Sequence, residues 1–190
     1  TGAGARPISR SSAVVVLRAG VLSPVLLIQA KALAARPVVT AMRVTVVLVT
    51  AIGTDDLIGA FGFDERSVPT AIAAMALAAL VLSGLFHTLR EAHATMQHFT
   101  ATLPVGTGFW PVRDVILVTV LGLAPLGILL VPLAAHGLSS LPALAALSLA
   151  YGALFVLLRM VLALSRDLTV LLATMLAAGW TGAAIAAIMR

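Results

Sequence analysis

The chain has 190 residues, of which 61% are hydrophobic and only 10% charged, with a mean hydropathy of +1.13; soluble domains carry about 25% charge. Lipid solvates apolar helices directly, whereas a water-soluble fold of this size could not hide so much apolar surface, and this excludes a soluble enzyme or binding domain. The net charge of +5 is spread over segment ends, which fits attraction to anionic lipid and excludes a nucleic-acid interface, and the absence of cysteine removes disulfides, thiolate catalysis and cysteine metal sites.

The apolar runs last about 20 residues and are rich in Ala, Leu and Met, the pattern of helical spans rather than of barrel strands. The expected fold is all-α: a polytopic helical membrane protein with about five to six hydrophobic helices. The chain begins at Thr1 without a methionine, which reads as a trimmed or processed start, and no signal peptide is recognisable at this end. Residues 1–12 carry Gly2, Gly4, Arg6, Pro7 and Arg10 and read as a mobile tail. Residues 13–35 are helix-like, but Arg18, Pro24, Gln29 and Lys31 interrupt them. Because a lone Arg in a span costs a few kcal/mol unless it is paired or snorkels, an interfacial or shallow helix is expected here, with a true first span as the alternative.

Pro37 suits the first turn of the next helix, whose span is placed at 38–58, with Arg43 near its start and Asp55 and Asp56 near its far boundary. A wetted loop with Asp64, Glu65 and Arg66 follows, and Asp56 is expected to pair with Arg66 across it. The spacing predicts a second span over 69–89, where Ala74 and Ala78 lie four apart and allow close helix approach. The stretch LREAHATMQHFTATLPV is then the longest run that is neither apolar nor a simple loop, and it carries Arg90, Glu91, His93, Gln97 and His98. Trp110 and Pro111 mark a head-group level and a helix start. The span 111–131 contains Gly122 and Pro125, where a kink is expected. A turn with His136 leads to the span 142–164, in which Ser148 and Gly152 lie four apart and Arg159 is placed to snorkel. A tight turn at 165–167 leads to the span 168–189, where Ala178, Gly182 and Ala186 form a further small-residue face. Within the region 36–190 the spans alternate so that Arg36, Arg43, Arg90, Arg113, Arg159 and Arg166 fall on one side, the cytoplasmic one by the positive-inside rule, with the Asp64 loop and His136 opposite.

If the 69–89 helix continues, a rotation of 100° per residue puts His87, Glu91 and His98 in one arc, two imidazoles and a carboxylate able to hold zinc or iron. His87 and His98 would lie about 16 Å apart at 1.5 Å per residue, too far for one ion unless the chain bends. A solvated amphipathic face is the better reading, and His93, turned away from the arc, reads as wetted. His87 and His136 fall on opposite sides and cannot flank one haem. The loop acids fit no calcium-binding spacing. No phosphate loop, nucleotide fingerprint or nucleophile elbow occurs, so no catalytic site of its own is expected and any nucleotide energy comes from another chain.

The layout around LREAHATMQHFTATLPV resembles the membrane (permease) subunits of ABC exporters of the ABC-2 type. The resemblance implies that residues 13–35 form the interfacial helix and that 91–102 form a short cytoplasmic coupling helix closed by Leu103 and Pro104. Glu91, His93, Gln97 and His98 would then face a separate ATPase subunit, which would carry ATP and magnesium. It further implies a homo- or heterodimer of membrane subunits in a bacterial cytoplasmic (inner) membrane, moving a hydrophobic or amphipathic substrate. The family has six spans, so the sixth would be either 13–35 or a helix beyond Arg190. Two alternatives remain open: a non-catalytic anchor or assembly subunit of a respiratory or energy-coupling complex, and a histidine-rich metal-dependent membrane enzyme.

Overall fold

The computed structural model describes residues 24–95, 109–164 and 168–189. These form six helices: α1 (Pro24–Ala34), α2 (Pro37–Ala60), α3 (Ser67–Thr95), α4 (Phe109–Ala135), α5 (Leu141–Leu164) and α6 (Thr169–Ile188). The helices α2 to α6 are each long and apolar enough to cross a bilayer, and they coincide with the five spans expected from the sequence. Residue 37 opens α2 as a proline at its first turn, with Arg36 as the N-cap position. The chain folds as an all-helical membrane protein.

The helix α3 is the hub and packs against every other described helix. Over the most apolar stretch of each helix, 56% of α3 is buried but only 11% of α2 and of α6. The reason lies in its side chains. Ala71, Ala78 and Ala79 are at most 1% exposed, and such small residues let neighbouring backbones come close where no hydrophobic effect drives association. Ala74 and Ala78, the expected packing pair, are both buried. Around α3 the neighbours run α2, α4, α5, α6, each touching the next, whereas α6 and α2 do not touch each other. Among the described residues, the ring of helices around α3 is therefore open along one side.

The seam between α4 and α5 depends on Gly122. A Cβ there would come within 2.8 Å of Phe155 Cε2 and 3.3 Å of Tyr151 Cε1, and those two rings pack edge to face with centroids 5.0 Å apart. The helix α4 carries Pro125 and Pro132 in its interior and stays one helix across both.

At one end of the bundle, α2 and α4 close with the same device. Gly62 and Gly137 adopt φ of +78° and +67°. Their N–H groups donate to Gly59 O and Ala134 O, and those of Phe63 and Leu138 donate to Ile58 O and Leu133 O. This paired pattern, with glycine in the left-handed position, ends a helix without a Cβ penalty. The ring of Phe63 stacks on His136 at 3.6 Å, so the two loops expected on the same side do meet. Asp64 turns back on its own backbone, where its Oδ1 accepts the Arg66 N–H at 3.0 Å, and Arg66 forms no ion pair with Asp56 among the described residues. The expected Asp56–Arg66 bridge is thus corrected: the local turn satisfies the loop, and Asp56 stays on α2.

The helix α1 runs about 16 Å over its described residues Pro24–Ala34, at 1.5 Å per residue. It packs against α2, α3 and α4, with Gln29 at 0%, Ala32 at 4% and Leu33 at 8% exposure. Residues 1–23 lie outside the described residues, as do Gln97, His98, Leu103, Pro104 and Arg166.

Candidate functional site

Two polar regions occupy the end of the bundle opposite Phe63 and His136, and both are built on the last turns of α3. The first is centred on Asp114, in the second turn of α4 and 0% exposed. Its Oδ1 accepts a hydrogen bond from Gln29 Nε2 of α1 at 2.9 Å and meets His93 Nε2 of α3 at 2.9 Å. A carboxylate oxygen accepts only, so His93 carries its proton on Nε2 and donates. Asp114 Oδ2 faces Arg159 Nη2 of α5 at 3.8 Å. Arg159 also lies over the Phe86 ring, 5.8 Å from its centroid, and Trp110 packs on the His93 ring at 4.7 Å. Four helices are tied together through one carboxylate, whose charge the Arg159 guanidinium balances.

This arrangement corrects two expectations. The side chain of Arg159 turns inward, only 14% exposed, because a buried carboxylate offers a better partner than a long reach to the surface. His93 is 16% exposed and engaged with Asp114 rather than wetted. Asp114 itself escapes sequence reasoning, although an acidic residue inside an apolar span is a signal on its own. Its partners lie 85 and 21 residues away for Gln29 and His93, and no local pattern links them.

The second region is a cavity of about 600 Å³ in the opening between α2 and α6. Arg43 of α2 and Arg90 of α3 supply its charge, His87 stands at its rim, and Leu80, Leu158 and Ala173 are among its apolar lining. The cavity is shaped by Gly84: a Cβ at that position would lie 2.8 Å from Arg43 Nη2, so the glycine leaves the notch in which the guanidinium rests. Arg43 Nη1 is buried without a hydrogen-bond partner. Arg90 donates from Nη1 to Leu162 O at 3.2 Å, and neither arginine has a carboxylate within ion-pair distance among the described residues. Glu91 also lines the cavity, but it is engaged elsewhere, with Oε2 2.6 Å from Arg36 Nη1 and Oε1 3.4 Å from His87 Nδ1. The hydroxyls of Ser83 and Thr174 donate to carbonyls of their own helices. The region therefore holds two guanidinium groups that pair with no carboxylate among the described residues, beside Glu91 and an apolar wall.

Of the expected metal set, the structure brings His87 and Glu91 together, and His98 lies outside the described residues. Among the described residues no three His, Asp or Glu side chains converge in a way that could hold a metal ion. Of the expected partner-facing residues, Glu91 and His93 belong to one continuous α3 and bond within the chain. The small-residue positions divide. Ala178, Gly182 and Ala186 point out of the bundle, and a Cβ at Gly152 or Gly182 would meet nothing within 4 Å. Within the chain, α6 packs through Ala173 and Ala177 instead.

The fold and these two regions define an integral membrane protein with, among the described residues, five apolar spans preceded by the packed helix α1. No family model, curated protein or solved structure matches the chain.

Proposed function

We infer that the chain is the transmembrane subunit of an exporter of the ABC-2 type, driven by a separate ATPase subunit and seated in a bacterial cytoplasmic membrane. The observation that supports this most is the coincidence, at one end of the bundle, of the lateral opening between α2 and α6 with the polar end of α3. The helix α3 packs on all the others, so a push delivered to its polar end and the segment after it tilts the element against which both edges of the opening rest. Closure of the opening changes the cavity, and a partner that hydrolyses nucleotide would supply the work. A hydrophobic or amphipathic cargo fits, because the opening faces lipid.

Purification from the native membrane tests the assignment. A nucleotide-binding subunit is expected to accompany the chain, and Glu91→Ala combined with His98→Ala is expected to weaken that association with insertion intact. Purification without any such subunit, or association indifferent to the double substitution, contradicts the exporter reading. The outward face of Ala178, Gly182 and Ala186 also favours a second reading, a subunit anchored against another membrane chain. Redox or energy-coupling subunits recovered in place of an ATPase would decide for it.

A further inference from the structure

We propose that the cavity between α2 and α6 binds the anionic head group of a membrane lipid or lipid-like amphiphile, with its acyl chains leaving through the opening between these helices. Three observations converge. The first is charge: Arg43, Arg90 and Glu91 line the cavity, Glu91 is held by Arg36 and His87, and neither arginine has a carboxylate within ion-pair distance among the described residues, while one guanidinium nitrogen of Arg43 is buried without a hydrogen-bond partner. A phosphate or carboxylate oxygen is the acceptor that such planar donors match best. The second is polarity along the slot. From Glu91 to Leu80 the wall of α3 runs about 16 Å at 1.5 Å per residue, passing from Arg90 and His87 at the rim, past Gly84 and Arg43, to leucine. A ligand that follows it must itself change from charged to apolar. The third is access: α2 and α6 do not touch, so the slot opens sideways toward the bilayer.

Ser83 and Thr174 spend their hydroxyl protons on their own helices, so the two arginines supply the permanent positive charge for the head group. The volume of about 600 Å³ lies within the usual range for small-ligand sites. As the cargo of the transporter, this ligand rests on the exporter reading; as a bound lipid it does not, and its test needs no ATPase subunit.

The chain, purified in detergent, is loaded with dioleoylphosphatidylglycerol or dioleoylphosphatidylcholine and lipid retention is read by native mass spectrometry. The wild type is expected to favour the anionic lipid by about thirtyfold, from two cationic contacts of roughly 1 kcal/mol each. Arg43→Gln with Arg90→Gln should abolish the preference, and Gly84→Leu, which fills the notch without removing charge, should also abolish it. Arg113→Gln, the charge change of the single Arg43→Gln variant at the same end but outside the cavity, should keep it. Should the double variant fail to insert, the single Arg43→Gln and Gly84→Leu variants carry the test. Equal retention of the two lipids, or a preference untouched by the arginine and Gly84 substitutions, overturns the site. A loss as large in Arg113→Gln would show bulk surface attraction and overturn it too. Displacement of the lipid by free glycerophosphate alone would move the ligand out of the bilayer, and a lipid-free dimer would put a second copy of the chain in the opening; either result overturns the lipid assignment. Failure here leaves the ATPase association test standing, so the two readings fail separately.

Discussion

The Asp114 cluster and the Arg43 cavity sit at the same end of the bundle and share α3, yet they treat charge in opposite ways. At Asp114 a buried carboxylate gathers a guanidinium, an imidazole and an amide from three other helices. At the cavity two guanidinium groups stand beside leucine and alanine and, among the described residues, pair with no carboxylate, the lining Glu91 being held by Arg36 and His87. In an apolar medium an ion is tolerated when something neutralises it, from within the chain or from outside. The first region therefore behaves as a latch, and the second as a receptor.

If that contrast is right, substitutions in the latch cost stability and substitutions in the cavity cost ligand. The largest effect is expected from Asp114→Ala, which strands Arg159 and leaves Gln29 and His93 without their acceptor. Removal of one member of a buried pair costs about 3–5 kcal/mol, to be read as a lowered unfolding midpoint in detergent. Asp114→Leu combined with Arg159→Met should recover part of that loss, because it removes both charges together; additive losses would show that the two side chains do not compensate each other. Gln29→Ala ranks next, at about 1.5–3 kcal/mol for a hydrogen bond to a charged group. It should also raise protease sensitivity between α1 and α2 more than elsewhere, and uniform sensitivity would deny α1 its tether. Arg43→Gln is expected to cost less stability than either latch substitution, since Arg43 has no carboxylate partner to strand among the described residues, while removing the preference for anionic lipid. The smallest effect belongs to Glu91→Gln, since the Arg36–Glu91 pair is 56% and 41% exposed at its side chains. Exposed pairs contribute about 0–1 kcal/mol, screened by salt.

Much of the fold is legible in the sequence because local chemistry marks it. Pro37 opens α2, and the proline at position 111 stands in the first turn of α4. The long apolar runs between such marks leave little choice but helix. The faces of those helices are harder to read. Ala178, Gly182 and Ala186 follow the spacing of a packing stripe, but alanine is common on every side of α6 and the bundle takes Ala173 and Ala177 instead. Helical rotation correctly turns His93 away from His87 and Glu91, yet rotation alone cannot say that an aspartate waits on the other side. Asp114 and Arg159 meet only because α4 and α5 pack on α3, through a seam that Gly122 keeps open for Phe155 and Tyr151. The cavity is equally non-local, since its arginines come from α2 and α3 and its outer edge from α6.

The contrast between the two regions is tested most directly by site-specific lipid quenching, which the absence of native cysteine makes straightforward. A bimane label on Thr174→Cys, which faces the cavity, is compared with one on Met175→Cys, whose native side chain is 64% exposed on the outside of the same helix. Spin-labelled phosphatidylglycerol should quench the first more strongly than spin-labelled phosphatidylcholine and the second equally, with the difference gone in Arg43→Gln/Arg90→Gln. The same ratio at both positions would contradict the account.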